Sequence, residues 1–245
     1  MWANVVRVLG KQGTGALILP STRRAWLVRR PQSSSRPRPP LSFRHFTSSS
    51  AHALPDGPPP ASTSTFEDPS RKGLFYHLVP PPTPLSATRP VFAVSLLADA
   101  PPSAESSTVL GWLPAETPGN DRDAGLNDFV ENPRFLPILH EAISEGLAEA
   151  VDDIQVAGAL QLGEGWMHIH DERNIPPLNR IGDPDDILAS VRVENGKILA
   201  ETYQAMPSYR LCTAFGVTQL TEGLASKLKG LLEVRAREEN RTADS

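Results

Sequence analysis

At 245 residues the chain is long enough for one or two domains, but an apolar share of 39% and 25 prolines assign part of that length to segments that bury little. A single cysteine, Cys212, excludes an intrachain disulfide and any multi-cysteine zinc or iron–sulfur site, and no apolar run approaches the ~18 residues that span a bilayer. Nine of the 24 basic residues and none of the 28 acids precede Asp56, so the net charge of −4 divides into a leader of +9 and a body near −13, which argues against a large direct nucleic-acid footprint.

Residues 1–53 hold those nine cations (Arg7, Lys11, Arg23, Arg24, Arg29, Arg30, Arg36, Arg38 and Arg44), with serines and with Ala, Trp, Leu and Val between the arginines. This is the composition of a mitochondrial transit peptide; in a protein that is not imported it would be a basic tail for nucleic acid or membrane. Arg44-His45-Phe46-Thr47-Ser48-Ser49 resembles the R-x-F-x-x-S pattern of two-step matrix processing, with cuts expected after His45 and then after Ala53. The expected location is the mitochondrial matrix. Residues 54–72 read as a disordered Pro/Ser/Thr linker, because almost nothing in them can be buried.

An α+β domain is expected over residues 73–240, ahead of a polar tail at 241–245. Its first strands are Phe75–Val79, Val91–Leu97 (bounded by Pro90 and Asp99) and Thr108–Leu113, ended by Pro114. Asn132 as N-cap and Pro133 at the first helical position open a helix whose stripe is Leu136, Leu139, Ile143 and Leu147, with Glu141, Glu145 and Glu149 on its solvated side. Ile154–Leu162 fits helix or strand, and the alternation of Ile154, Gln155 and Val156 tips it toward strand. Trp166–His170 alternates more clearly and reads as a strand.

Asn195-Gly196 marks a two-residue hairpin turn. That turn would pair Val193 with Ile198, Val191 with Ala200 and Ala189 with Thr202, placing Ala189, Val191, Val193, Ile198 and Ala200 on one core face, with Glu194 opposite Lys197. A further strand is expected at Tyr209–Thr213, and a last helix from Thr218 to Arg237 with Leu220, Leu224, Leu228, Leu231 and Leu232 as its stripe. The sum is a single small α+β domain: a mainly antiparallel sheet of about six short strands with two main helices.

Chemistry-bearing residues are densest between Gly163 and Ile187. On a strand, Trp166, His168 and His170 share one face, while Met167 and Ile169 take the other. His168 and His170 are candidate metal ligands, with Asp171 or Glu172 beside them and His77, His140, Glu164 or Asp183 as further ligands. A divalent metal is the one cofactor the sequence points to. Arg173 and Arg180 sit among Asp171, Glu172, Asp183, Asp185 and Asp186; they brace a long loop, or with Trp166 contact an anion or a partner. The sequence carries no phosphate loop, dinucleotide fingerprint, nucleophile elbow or H-E-x-x-H, and Cys212 reads as a buried, inert thiol. The leading expectation is therefore a soluble matrix accessory or assembly protein that works by protein–protein contact, on a respiratory complex or the mitochondrial ribosome. The alternative is a metal-dependent enzyme with a His-x-His site.

Overall fold

Every strand pairing among the described residues is antiparallel, and the strands fall into three sheets. The computed structural model describes residues 64–115, 125–177 and 180–243. The expected leader, and the linker as far as residue 63, lie outside them.

The first sheet is a meander of five strands in sequence order: β1 (Thr65–Asp68), β2 (Arg71–Val79), β3 (Val91–Ser95), β4 (Val109–Pro114) and β5 (Val130–Glu131). It begins earlier than expected, since Thr65–Lys72 was assigned to the linker and instead forms β1 and the start of β2. Two side chains explain why. Phe66 meets Phe92 edge to face, ring centroids 6.3 Å apart. Asp68 is buried and accepts from the amides of Ser70 and Arg71 and from the Tyr76 hydroxyl. Strand β3 is buried on both faces: Phe92 and Val94 enter the main core, while Val91 and Ala93 join Val109 and Trp112 in a smaller cluster.

The described residues form three α-helices where two main ones are expected: α1 (Phe135–Ala148), α2 (Asp153–Leu162) and α3 (Glu222–Ala243). Helix α1 starts at Phe135 with Arg134 as its N-cap, two residues after the expected cap, because Asn132 heads a turn instead: its carbonyl accepts from Phe135 N, its Oδ1 accepts from Arg134 N, and its Nδ2 donates to the Ser106 and Val109 carbonyls. The α1 stripe turns slightly from the expected one, so that Phe135, Leu139, Ala142 and Ile143 are fully buried and Leu136 only partly. These side chains join Leu224, Leu228 and Leu232 of α3 in one core, at about 1.5–3 kcal/mol for each large side chain removed from water. Helix α3 also runs on through Ala243, into the stretch expected as a polar tail; Glu239 ties it to the sheet by accepting from Ser107 N and Oγ.

The second sheet has the order β6 (Gly165–His170), β7 (Ile187–Glu194), β8 (Lys197–Ala205), which leaves β6 at an edge. The turn is as read: Asn195 and Gly196 both have positive φ, and Glu194 faces Lys197 and Val193 faces Ile198. Beyond that the register departs from expectation, because Ser190 faces Gln204 and Ala189 faces Ala205. Thr202 is the cause. Its Oγ1 accepts from Arg192 N and donates to the Leu199 carbonyl, taking the place of a ladder bond and bulging β8. Glu194 pairs ionically with Arg192 on its own strand at 2.9 Å. The strand expected at Tyr209–Thr213 shrinks to β9 (Cys212–Thr213), which with β10 (Gly216–Val217) makes a two-stranded arm. The architecture is broadly α+β, but among the described residues ten strands in three sheets replace the single six-stranded sheet. No helix among the described residues is long and apolar enough to cross a membrane.

Candidate docking groove

Helix α2 forms where a strand was favoured because Asp152 caps it, Oδ1 accepting from Gln155 N at 3.1 Å. Asp152 followed three residues later by Gln155 is a helix-start signature that was present in the sequence. The chain leaves α2 through Gly163 (φ +74°) and Gly165 (φ +130°), values that side-chain-bearing residues rarely adopt, and turns at once into β6. Helix and strand thereby become the walls of one groove of about 560 Å³.

Strand β6 alternates as expected. Ile169 is fully buried, Met167 packs toward Gly158 of α2, and Trp166, His168 and His170 share the other face. His168 Nδ1 lies 2.8 Å from Ser190 Oγ on β7, and the two imidazoles meet edge to face with centroids 6.2 Å apart. The loop after β6 brings Ile175, Arg180 and Ile181 to the far rim. Five large apolar side chains ring the opening (Ile154, Leu162, Trp166, Ile175 and Ile181), each between 43% and 72% exposed. Two residues of the lining, His170 and Thr221, each keep one polar atom out of water without a hydrogen bond to any described residue; His170 Nδ1 packs against Gly182. Burial holds the His170 imidazole below its ordinary pKa, helped by His168 and opposed by Asp186.

The carboxylates and arginines divide into different roles. Asp171 has no exposed surface; its Oδ1 accepts from Arg173 N and Gln219 N, and its Oδ2 from the Tyr209 hydroxyl at 2.8 Å. Arg173 Nε donates to Asp186 Oδ1 at 2.7 Å, and its other nitrogens reach the carbonyls of Asp185, Arg210 and Gly216. Both residues brace the loop, and neither offers a free donor or acceptor to a ligand. Only Arg180 of the two arginines borders the groove, so they do not form one anion pocket. Glu172 is half-buried at the groove wall.

A metal fits this arrangement poorly. His168 and His170 are together, but Asp171 points into the brace. His77 lies in the other sheet, held by Thr65 and the Leu97 carbonyl, and His140 on α1 contacts the Tyr203 hydroxyl at 2.8 Å. Among the described residues no group of three or more His, Cys, Asp or Glu could hold a metal ion. Cys212 is buried away from the groove, and burial pushes its thiol up to about 11, which suits an inert side chain.

No family model, curated protein or solved structure matches this chain. The groove therefore has to be read from its own chemistry. Ser190 and Thr221 carry no local signal in the sequence: Ser190 matters only as the cross-strand neighbour of His168, and Thr221 only because the chain returns beside β6 just before α3.

Proposed function

We propose that this chain is an accessory or assembly protein of the mitochondrial matrix that acts by binding another protein through the groove between α2 and β6. The observation that carries the reading is the ring of five exposed apolar side chains around the groove. Apolar side chains exposed singly are ordinary, whereas a contiguous set fits a partner that removes it from water. The acid-free, arginine-rich leader supports the location. The saturated Asp171–Arg173–Asp186 brace supports a rigid platform over a reaction centre.

Native gels of matrix extract test it. The intact chain should migrate with a larger assembly, a respiratory complex or the mitochondrial ribosome, and Trp166→Ala combined with Ile154→Glu should release it as a folded monomer. A strictly monomeric profile for the intact chain would refute the reading. The alternative, a metal-dependent enzyme, rests on the adjacency of His168 and His170, which find no third protein ligand among the described residues.

A further inference from the structure

The groove is bounded on one side by a strand edge with nothing paired to it. Among the described residues β6 has a neighbouring strand on the β7 side only. The alternation of its backbone groups is fixed at both ends: the Gly163 carbonyl accepts from Gly196 N at 2.8 Å, and Asp171 N donates to the Asp186 carbonyl at 2.9 Å. Odd-numbered residues therefore turn their N–H and C=O toward β7, matching the facing pairs Gly165 with Val193 and Met167 with Val191. The amides and carbonyls of Trp166 and His168 turn outward, into the groove, where no other described residue bonds them.

An open edge of this kind is a template for another strand, and natural proteins ordinarily blunt such an edge with charge, proline or a covering element. Here the edge residues are Trp, Met, His, Ile and His, none of them an acid, lysine or proline. Helix α2 stands beside the edge without covering it. Its groove-facing positions Ile154, Gly158 and Leu162 keep the space open, because Gly158 has no side chain to fill it.

We infer that the groove binds an extended peptide segment of the partner protein, which adds to the β6 edge as a further antiparallel or parallel strand, apolar at alternate positions. This rests on the docking reading above and specifies its mode. Main-chain bonds to Trp166 and His168 would hold the segment, and alternate side chains would fill the apolar space between α2, Met167 and Trp166. A helical occupant would leave the outward amides and carbonyls of β6 unpaired; an extended one satisfies them.

A random decapeptide phage library selected against the full chain supplies the probe, and synthetic copies of the selected peptides supply the measurement. N-methylation at every second position should weaken binding at least tenfold, while methylation at the positions between has little effect. Hydrogen exchange of the Trp166 and His168 amides should slow in the complex. Peptides that tolerate N-methylation at every position, or exchange at Trp166 and His168 that does not change, would overturn strand addition, as would a library that yields no binder. If that happens while Trp166→Ala with Ile154→Glu still abolishes co-migration, docking stands and only its mode is wrong. If peptides bind as stated but that double variant co-migrates normally, the groove is a peptide site and docking on the assembly through this groove falls.

Discussion

Asp152 and Gly223 meet where two helices begin. Asp152 Oδ2 accepts from Gly223 N at 3.0 Å and from Leu224 N at 3.3 Å, while its Oδ1 caps α2 through Gln155 N. One carboxylate thus anchors the groove wall α2 to the core helix α3. Each N-cap contributes about 1 kcal/mol, so Asp152→Ala should destabilise the fold by about 2 kcal/mol in urea titrations. It should also lower partner affinity, because the wall is no longer fixed. Gly223→Ala should destabilise as well, despite alanine's better helix propensity, since the added Cβ would sit 2.4 Å from the Val151 carbonyl oxygen. A stabilised Gly223→Ala variant would show that this junction yields.

Arg173 and Arg180 look equivalent in sequence and should behave in opposite ways. The Arg173 and Asp186 side chains are each only 2% exposed, and removing one partner of a buried pair costs about 3–5 kcal/mol. Arg173→Met should therefore lower the denaturation midpoint steeply. Arg180→Met should move stability by less than about 0.5 kcal/mol, as exposed substitutions do, and should act only on binding. Equal effects on stability would contradict the division between brace and rim.

Acid should weaken the fold through its histidines. Burial lowers the pKa of His77, His140 and His170 below the ordinary 6.5; at His77 the Leu97 carbonyl and Asp99 oppose the shift without cancelling it. The folded state therefore binds fewer protons than the unfolded chain in the window between the lowered values and 6.5. Stability in that window rises with pH; it is present above 6.5 and lost as pH falls through the folded values. Thermal midpoints measured across this range should fall toward acid, and His77→Gln should flatten the curve. A midpoint that rises on acidification would show the sign to be wrong.

What could be read from the sequence was what short-range chemistry decides. Asn195-Gly196 marked the hairpin turn, Asn132-Pro133 placed the cap of α1 two residues before its position at Arg134, and the alternation from Trp166 to His170 assigned the faces of β6 correctly. Apart from α2, whose Asp152–Gln155 cap is local, the departures came from contacts between distant residues. The shifted register of β8 depends on the Thr202 hydroxyl reaching Arg192 and Leu199. The strand at Thr65 depends on Phe66 finding Phe92. At the groove, the two imidazoles were visible as a pair, but their use was not. Asp171 looked available as a third ligand until Tyr209 and Gln219, both remote in sequence, proved to occupy it.

The leader makes a separate prediction. Residues 1–53 fused ahead of a fluorescent protein should direct it to the matrix, and the mature native chain should begin at Leu54. Arg44→Ala should shift or slow the first cut, visible by mass spectrometry of the N-terminus. A full-length protein recovered from mitochondria with Met1 intact would remove the processing argument.

His168 and His170 allow docking and metal binding to be told apart. If the pair serves a protein partner, the purified chain should hold far less than one equivalent of zinc, manganese or iron, and His168→Ala should leave that content unchanged. The same substitution also removes the contact with Ser190 Oγ at 2.8 Å, which helps hold the ring on the strand face. It should therefore weaken partner binding, while His168→Gln, which can still reach Ser190, should recover part of the loss. A metal site would give the opposite pattern. Content would approach one equivalent and fall with either variant, because a glutamine amide is a far poorer ligand for these ions than imidazole. Elemental analysis beside binding measurements on the three proteins decides between them, since a structural contact with Ser190 and a coordinate bond respond differently to glutamine.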